Sequence, residues 1–583
     1  MSNTPRLIGY LLRYKWTFAV GFVFLVTTTV TTLIVPQVIK LGVDGIERGH
    51  SSSSDLLWLA GALLGLAVVR AIARFFYRVL LFGASRKIER DLRRDLYEHT
   101  IRLPIEFFGE RRVGELMAIS SNDIEAVRRM LGWGVLITFD TLILVVGTVY
   151  MMWNLSPEVT LYAVLPMPFV TVFFMFVGPH IKTRFRRVQE SFAALTVDVE
   201  ESITGVRVLK AYVQEDGRQK QFDSANRSYL STNMKMVTLD GLFQGVMALL
   251  PSLSLAVILY FGAPQVMRGE LTLGAFLAII LYAGEMRWPI RFFGAIFNMI
   301  QRGRASVARI WDIFGEKTEF GDEAAPANGK VESLIRICDL SFSYPGYSAQ
   351  ALNELTLDVA EGETIALMGR TGSGKSTIIS LLLRLYDPPP GTVFLDGIDI
   401  LDIPKDEVRA LFATAPQDAF LFTDSIRGNI SFTAEDPVDE ELVRVAAAVH
   451  LHEDVMQMPD QYSTVVGERG VTLSGGQRQR ASLARAFLAG REILLLDDPL
   501  SAVDTVTEVG ILKSIDSERS DRTVLLVTNR VNAARMADRI VVLDGGRIIE
   551  QGTEEELLKA GGTYAEIYER QQLEASMDEV EQP

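Results

Sequence analysis

The sequence has a single cysteine, Cys338, among its 583 residues, so an internal disulfide is impossible and a reducing compartment suits the composition. It also lacks an excess of positive charge, because 58 lysines and arginines stand against 72 aspartates and glutamates, a formal net charge of −14. This balance argues against nucleic acid as a partner. The N-terminal region lacks the small-residue cleavage site of a secretory signal, so we interpret its apolar run as a retained membrane helix.

Long apolar runs are abundant, but only in the first half of the chain. Hydrophobic residues make up 48% of the sequence and the mean hydropathy is +0.20, which is high for a soluble protein. The second half has the shorter alternation of apolar strands, turns and helices that is typical of a soluble α/β domain. We expect a membrane domain over residues 1–315, a linker over 316–332 and a globular domain over 333–583.

Six apolar segments approach the roughly 20 residues that a membrane-spanning helix needs. They lie at residues 16–39, 56–82, 134–154, 158–179, 238–263 and 272–298. The long connections 85–132 and 180–236 are rich in arginine and lysine, whereas the other loops carry few basic residues. The positive-inside rule therefore places both termini in the cytoplasm. A soluble all-helical protein is the alternative, and the alternating loop charge argues against it.

The two basic connections read as helices that continue the membrane helices into the cytoplasm. Each is broken once, at 103–115 and at 201–212, where Pro104, Gly109 and Gly205 are expected to supply the breaks. A short helix at each break can dock on a cytoplasmic domain and carry motion between that domain and the membrane.

A phosphate-binding loop opens the globular half. The segment GRTGSGKST stands between a predicted strand, 364–369, and a predicted helix, 376–385, whose N-terminus provides positive potential. Glycines let the backbone approach phosphates, Lys375 adds a charge on the β and γ oxygens, and Ser376 offers a hydroxyl to Mg²⁺. The ATP-binding residues predicted here are Gly369, Thr371, Gly372, Ser373, Gly374, Lys375, Ser376 and Thr377.

Two further motifs accompany this loop. Asp497 ends the apolar strand EILLLD, where a carboxylate can hold Mg²⁺ directly or through water. The motif LSGGQRQR (473–480) opens a helix, so the backbone N–H groups of Ser474, Gly475 and Gly476 can face a γ-phosphate. Within a single chain this helix start has no nucleotide to bind. We therefore expect it to contact the nucleotide that is held by a second cassette.

Together these motifs resemble those of a half-transporter of the ATP-binding cassette exporter family, of type IV fold, and the resemblance covers essentially the whole chain. It implies an α-helical membrane domain of six transmembrane helices fused to an α/β phosphate-loop ATP-binding cassette. It also implies that Tyr344 stacks on adenine, that Gln417 senses Mg²⁺ and the γ-phosphate, and that Gln477 belongs to the nucleotide-contacting signature. The predicted metal ligands are then Ser376, Gln417 and Asp497.

The same resemblance names other segments. GERG (467–470) resembles the X-loop and SAVD (501–504) the D-loop. Segments 103–115 and 201–212 resemble the two coupling helices, and residues 4–14 resemble an amphipathic elbow helix at the inner membrane surface.

Two positions depart from the family pattern. Asp498 stands where the family has a glutamate that polarises the attacking water, and Asn529 stands where a histidine contacts the γ-phosphate. Aspartate is shorter by about 1.5 Å, and a misplacement of about 1 Å can cost roughly 100-fold in rate. Asn529 can donate a hydrogen bond but cannot carry a proton or a positive charge. With Asp498, Asn529 and Gln417 as its catalytic residues, the site is expected to bind ATP and hydrolyse it slowly; conservative drift with activity retained is the alternative.

An intact signature beside a weakened hydrolytic centre resembles the degenerate-site subunit of a heterodimeric multidrug exporter. In the family each site combines the Walker motifs of one chain with the signature of the other. We therefore expect a partner half-exporter that carries the glutamate and the histidine, and a homodimer with two slow sites is the alternative.

The sequence says less about the substrate. Five arginines lie on predicted membrane helices, the last two near Glu285: Arg70, Arg74, Arg78, Arg287 and Arg291. They can form a cationic chamber for amphipathic anions or zwitterions, or they can snorkel to the inner interface. We expect ATP-driven export of hydrophobic or amphipathic small molecules or peptides from the lipid bilayer of a bacterial inner membrane. A lipid flippase and a non-transporting regulatory or channel-like cassette protein are the alternatives.

Overall fold

The computed structural model describes residues 4–49, 53–319, 335–434, 438–467, 470, 472–503, 505–519 and 522–580. The chain divides into two compact units. The first comprises residues 1–101 and 113–316, and the second comprises residues 102–112 and 317–583.

The first unit is helical. Its helices, with α4 of the second unit included to keep chain order, are α1 (Thr4–Arg13), α2 (Lys15–Glu47), α3 (Ser53–Thr100), α4 (Ile105–Glu110), α5 (Val113–Ala118), α6 (Ile124–Arg129), α7 (Val135–Leu155), α8 (Pro157–Val164), α9 (Pro166–Thr204), α10 (Val206–Ala211), α11 (Glu215–Met267), α12 (Leu273–Glu285) and α13 (Arg287–Gly315). Two π-helical turns, Ile119–Asp123 and Met130–Gly134, join α5, α6 and α7 into one long helix. The buried core lies where α2 packs on α3, α7 and α12, and the Tyr282 hydroxyl there donates to the Leu33 carbonyl oxygen at 2.6 Å.

All six predicted membrane segments fall on helices, but by length and composition three described helices can cross a membrane: Lys15–Glu47, Ser53–Thr100 and Val113–Leu155. Two shorter apolar stretches, Ser252–Met267 and Leu273–Glu285, accompany them. The count of three applies to the described residues alone, and α9, α11 and α13 each include side chains outside them. Leu165 precedes Pro166 between α8 and α9, and Pro289 in the first turn of α13 has no N–H to continue the bonding of α12. The count of six spanning helices stays a prediction.

The two predicted breaks each contain a short helix. Pro104, with extended backbone, precedes α4, and Gly205 separates α9 from α10. The expectation that Gly109 supplies a break was wrong, because Gly109 lies inside α4, which ends at Glu110. An interior glycine costs a helix only about 1 kcal/mol, so it is tolerated there. Phe107 of α4 is buried in the second unit.

The second unit is an α/β domain. Its strands are β1 (Ile335–Phe342), β2 (Leu352–Val359), β3 (Thr364–Gly369), β4 (Val393–Leu395), β5 (Ile398–Asp399), β6 (Phe412–Ala415), β7 (Ile493–Asp497), β8 (Thr523–Val527), β9 (Arg539–Asp544) and β10 (Arg547–Gly552). Its further helices are α14 (Lys375–Leu382), α15 (Lys405–Ala410), α16 (Ile426–Ile430), α17 (Asp439–Ala448), α18 (His452–Met456), α19 (Gly475–Ala489), α20 (Thr505–Glu518), α21 (Val531–Ala534), α22 (Glu554–Ala560) and α23 (Thr563–Val580).

Two sheets organise this unit. The larger has the order β10-β9-β3-β8-β7-β6, parallel except for β10, and the smaller has the antiparallel order β2-β1-β4-β5. Every residue of β3, β7 and β8 is buried, which explains their continuous apolar sequences. Because β3, β6, β7 and β8 are parallel, the segments that follow them meet at one edge of the sheet, where ligands bind in such folds.

Candidate functional site

A cleft of about 270 Å³ lies at this edge of the larger sheet. Its lining comes from the segments that follow β1, β3, β6, β7 and β8, and from Ala351 before β2. The lining residues are Tyr344, Ala351, Thr371, Gly372, Ser373, Gly374, Lys375, Ser376, Thr377, Gln417, Asp497, Asp498, Val527, Thr528 and Asn529. The structure therefore brings together the predicted residues of the phosphate loop, the strand-end aspartates, Tyr344, Gln417 and Asn529.

Glycines shape the phosphate loop between β3 and α14. Gly374 precedes α14 with φ of 101°, and a Cβ atom there would stand 2.7 Å from the carbonyl oxygen of Ala351. Gly369 has φ of 145° and lies against the Leu543 carbonyl. Both positions therefore require glycine. The N-terminus of α14 opens beside the cleft, and its first N–H groups have no partners within the helix.

The Lys375 ammonium group is held inside the loop. Its Nζ donates to the carbonyl oxygens of Gly369 at 2.7 Å and Arg370 at 2.9 Å, and the residue is 8% exposed. Burial lowers the pKa of Lys375, while the charges of Asp497 and Asp498 oppose that shift. The ammonium group lies beside both strand-end carboxylates and can turn from loop carbonyls to phosphate oxygens.

Asp497, the last residue of β7, lines the cleft together with Ser376. Burial raises the pKa of Asp497, whereas hydrogen bonding from Ser376 and the charge of Lys375 act in the opposite direction. A carboxylate beside a hydroxyl is an oxygen donor pair of the kind that Mg²⁺ takes together with phosphates and water. In the described part of the chain no three His, Cys, Asp or Glu side chains cluster as metal ligands, so a metal here would need oxygens from a nucleotide.

Asp498 adopts a left-handed backbone with φ of 48°, a conformation that aspartate tolerates better than most residues. Its N–H donates to the Val527 carbonyl oxygen at 2.9 Å, which ties the end of β7 to the end of β8. Burial raises the pKa of Asp498, and the nearby charge of Arg530 opposes this. Arg530 itself pairs with Glu508, which is 4% exposed.

Tyr344 lies at one side of the cleft, where its hydroxyl donates to Thr377 Oγ1 at 3.1 Å. Its ring meets that of Tyr386 edge-on, with centroids 5.0 Å apart and planes at 87°. Gln417 is exposed and follows β6. Asn529 is also exposed, and its carbonyl oxygen accepts a hydrogen bond from Gln571 Nε2 at 2.7 Å.

The signature residues Ser474, Gly475, Gly476 and Gln477 do not line this cleft. Ser474 caps α19: its N–H donates to Gln477 Oε1 at 3.0 Å, and its Oγ accepts from the Gln477 N–H at 3.2 Å. The Ser474 N–H is thus used within the capping box of this single chain, and its contact with a phosphate of a second cassette stays a prediction. The N–H groups of Gly475 and Gly476 remain at the opening of the helix.

Sequence reasoning missed three residues around the site. Gln479, 7% exposed, accepts from the Ala502 N–H at 2.9 Å and donates to the Asp498 carbonyl at 3.4 Å, so it joins α19 to the segment after β7. The position of Gln479 inside LSGGQRQR could have indicated a role at the site, and so could the position of Arg530 directly after Asn529. Gln571 has no comparable local signal.

Several predicted features lie wholly or partly outside the described residues. These are the two central residues of GERG (468–469), the final residue of SAVD (504), the linker from residue 320 onward and the side chains of Arg287 and Arg291. On α3, the side chains of Arg74 and Arg78 are exposed and that of Arg70 is half-buried.

Comparison with known proteins decides the family. The family described as ABC transporter transmembrane region matches residues 18–290, and the family described as ABC transporter matches residues 352–501. The chain is 36% identical over 575 residues to the probable multidrug resistance ABC transporter ATP-binding/permease protein YheI of Bacillus subtilis, with 98% of each chain covered. This chain belongs to the ABC exporter family.

Two other relatives agree. An ATP-dependent lipid A-core flippase of Chromobacterium violaceum is 31% identical, and the alignment covers 98% of each chain. The solved structure of a bacterial Atm1-family ABC exporter with ATP bound has a TM-score of 0.77 at 26% identity, covering 96% of this chain and 98% of that one. The ABC exporter is thus an integral membrane protein with a helical transmembrane domain fused to an α/β nucleotide-binding domain. The predicted fold class is confirmed, as is an ATP-binding, hydrolysis-coupled transporter.

Proposed function

We propose that this exporter is one half of a heterodimer and carries the degenerate site of the pair. One observation supports this most directly: Asp498 and Asn529 line the cleft at the positions where the family's glutamate and histidine are expected. Both substitutions slow ATP hydrolysis in this proposal. Asp498 has a shorter side chain than glutamate, and Asn529 lacks the ionisable imidazole of histidine. The rest of the cleft keeps the groups that bind nucleotide, so this site holds ATP and turns it over slowly.

The signature supports the second half of the proposal. The opening of α19 lies outside the cleft of its own chain, with Ser474 exposed and the N–H groups of Gly475 and Gly476 free of the capping box. A helix N-terminus in this state suits the γ-phosphate of a nucleotide held by another chain. The productive site would then pair this signature with the Walker motifs of a partner that carries glutamate and histidine.

Within this proposal the chain's own residues have separate tasks. Tyr344 stacks on adenine, while the loop from Gly369 to Thr377 holds the phosphates. Ser376, Asp497 and Gln417 hold Mg²⁺, which when bound neutralises charge on the phosphate oxygens. Asp498 and Asn529 occupy the places of the water-polarising and γ-phosphate-contacting residues.

The proposed setting is a bacterial inner membrane with both termini in the cytoplasm and six spanning helices. The proposed domains are 1–315, 316–332 and 333–583, with α1 as the elbow helix and α4 and α10 as coupling helices. Support for α4 as a coupling helix comes from contacts within the second unit. The pKa of Tyr386 is raised mainly by burial, and then by the charges of Tyr344 and of Glu106 on α4. Tyr386 contacts Tyr344, so the charge of Glu106 on α4 acts on a neighbour of the proposed adenine platform.

Hydrophobic or amphipathic molecules are the proposed cargo, in keeping with the multidrug resistance named for the Bacillus subtilis relative. A lipid flippase is the second candidate, since the Chromobacterium violaceum relative is named a lipid A-core flippase at 31% identity. Transport assays with labelled lipid and with dyes separate the two.

Co-purification tests the heterodimer. The tagged full chain, expressed from its native locus, should bring down a different half-exporter in a one-to-one ratio. A stable dimer of this chain alone with full transport-coupled ATPase activity would show that the homodimer alternative is correct.

A further inference from the structure

Asp454 lies on α18, beside the start of the signature helix α19, and its side chain is half-buried. One of its carboxylate oxygens, Oδ2, accepts from two side chains of α19: from Gln477 Nε2 at 3.2 Å and from Arg480 Nη2 at 2.6 Å. These two donors stand three positions apart in the sequence, so they lie on one face of that helix. A single carboxylate on a separate helix therefore holds the first turns of the signature helix.

The contact with Asp454 decides which way the Gln477 side-chain amide points. An amide has a donor end and an acceptor end, whereas a carboxylate only accepts, so the Nε2 end faces Asp454. The Oε1 end then faces the Ser474 N–H, which donates to it at 3.0 Å, while the Gln477 N–H donates to Ser474 Oγ at 3.2 Å. If the amide were turned over, its NH₂ group would meet the Ser474 N–H, and two donors cannot bond. The capping box of α19 therefore depends on the orientation that Asp454 gives to Gln477.

Arg480 holds the carboxylate in place. Its side chain is 14% exposed, and its guanidinium also donates to the carbonyl oxygen of His450, in the turn between α17 and α18. Charge-assisted hydrogen bonds are roughly twice as strong as neutral ones, so the pair with Asp454 is the firmer of the two contacts on Oδ2. The segment before α19 thus sets where the carboxylate lies.

The start of α19 is also packed closely against the segment that follows β7. A Cβ atom at Gly476 would stand 2.8 Å from the carbonyl oxygen of Ala502, and the Ala502 N–H donates to Gln479 Oε1 at 2.9 Å. The first turn therefore has fixed neighbours on α18 and on this segment. Donor groups stabilise a charged oxygen best when their directions are set in advance, because no reorganisation is then needed.

We propose that Asp454 is a positioning residue of the signature motif, which acts through Gln477 to hold the capping box. The N–H groups of Gly475 and Gly476 thereby keep the directions that the γ-phosphate of a second nucleotide requires. This inference rests on the proposed function, in which the signature completes the site of a partner chain. The alternative is that Asp454 only joins α18 to α19 through its ion pair with Arg480.

Hydrogen exchange of the full-length chain in nanodiscs, without ATP and resolved to single amides, tests the positioning. Asp454→Ala should quicken exchange of the Ser474 and Gln477 amides by roughly five- to tenfold, because both bonds of the capping box weaken. Asp454→Asn keeps a carbonyl oxygen that can accept from Gln477, so both amides should stay within about threefold of wild type. Glu453→Ala removes an equal charge from an exposed neighbour on α18 and should change neither amide.

Three results would overturn the positioning role. The first is unchanged exchange of the Ser474 and Gln477 amides in Asp454→Ala. The second is equal quickening in Asp454→Asn and Asp454→Ala, which would show that the ion pair with Arg480 matters and the orientation of Gln477 does not. The third is faster exchange throughout α17, α18 and α19 together with a lower Tm, which would show that Asp454 only joins these helices.

ATPase kinetics of the complex that co-purifies with the tagged chain test the consequence for the reaction. Asp454→Ala should lower kcat by roughly tenfold and leave the KM for ATP within about twofold, because the signature contacts the γ-phosphate after the Walker motifs have bound the nucleotide. Asp454→Asn should recover most of kcat. An unchanged kcat in Asp454→Ala would overturn the inference if Ser474→Arg abolishes activity. Full activity in Ser474→Arg would instead overturn the proposed function, and the exchange measurement, which needs no ATP and no partner, still decides whether Asp454 positions Gln477.

Discussion

Gln571 of α23 holds both sides of the loop that carries Asn529. Its Nε2 donates to the Asn529 carbonyl oxygen at 2.7 Å, and its Oε1 accepts from the Val531 N–H at 2.9 Å. Both groups of one side-chain amide are thus used on the backbone that flanks Arg530. The C-terminal helix thereby positions a loop whose Asn529 side chain lines the nucleotide cleft.

Gln571→Ala should loosen this loop. Loss of a hydrogen bond worth about 1 kcal/mol exposes the Val531 amide more often, so its hydrogen exchange should quicken by roughly five- to tenfold. Hydrogen–deuterium exchange on the full chain measures this. Gln572→Ala, an exposed neighbour on the same helix, is the matched control and should leave the exchange unchanged. Identical exchange in the two variants would show that the two Gln571 hydrogen bonds do not stabilise the loop.

The two halves of the catalytic machinery should respond differently to mutation. Asp498→Ala should leave more than about half of the ATPase activity of the complex, because the proposed chemistry occurs on the partner's Walker B. Ser474→Arg should lower it by at least about tenfold, since a bulky side chain at the opening of α19 displaces the helix N–H groups from the partner's γ-phosphate. Steady-state phosphate release from the purified complex is the measurement. If Asp498→Ala is the more damaging change, this chain carries the working site and the assignment is reversed.

Nucleotide retained by this chain after turnover should be mostly ATP. Lys375, Ser376, Asp497 and Tyr344 line the cleft and provide binding groups, whereas the weakened centre slows hydrolysis. Photo-crosslinking of an azido-ATP to the chain, followed by separation of the nucleotides, measures the ratio. Chiefly ADP on this chain would count against slow chemistry.

Neutralising Asp498 should stabilise the nucleotide-free protein at neutral pH. Burial raises the pKa of Asp498, so the folded state holds its proton more tightly than the unfolded state does. The ionised side chain is therefore unfavourable in the fold at pH 7, and this cost disappears as the pH falls below the ordinary aspartate value. Asp498→Asn should raise Tm by about 2 °C at pH 7.5, with a smaller gain at about pH 4, near the ordinary aspartate value.

Differential scanning fluorimetry of the detergent-solubilised chain checks this dependence. Asp402→Asn, at an exposed position of the same domain, is the charge-matched control and should leave Tm unchanged at both pH values. A gain for Asp498→Asn that is constant across this range would contradict the linkage to ionisation.

Local patterns predicted much of the nucleotide cleft. The strand 364–369 has the predicted bounds, and the phosphate loop follows it directly, because a buried parallel strand reads as a continuous apolar run and glycines mark the turn. The helix predicted over 376–385 begins one residue earlier and ends at Leu382. Helix ends depend on capping and packing, which composition alone does not reveal.

Contacts between distant segments decided the rest. The Thr29–Asp140 hydrogen bond spans 111 residues and the Gln571–Asn529 bond spans 42, and no local periodicity encodes which partners meet. The sequence by itself determined the helical membrane domain, the phosphate loop and the two departures at Asp498 and Asn529, because each depends on residue type and near neighbours. Only the tertiary structure decided that the Ser474 N–H donates to Gln477 and that the Asp140 carboxylate accepts from Thr29 of a different helix, because hydrogen-bond partners depend on the whole packed environment.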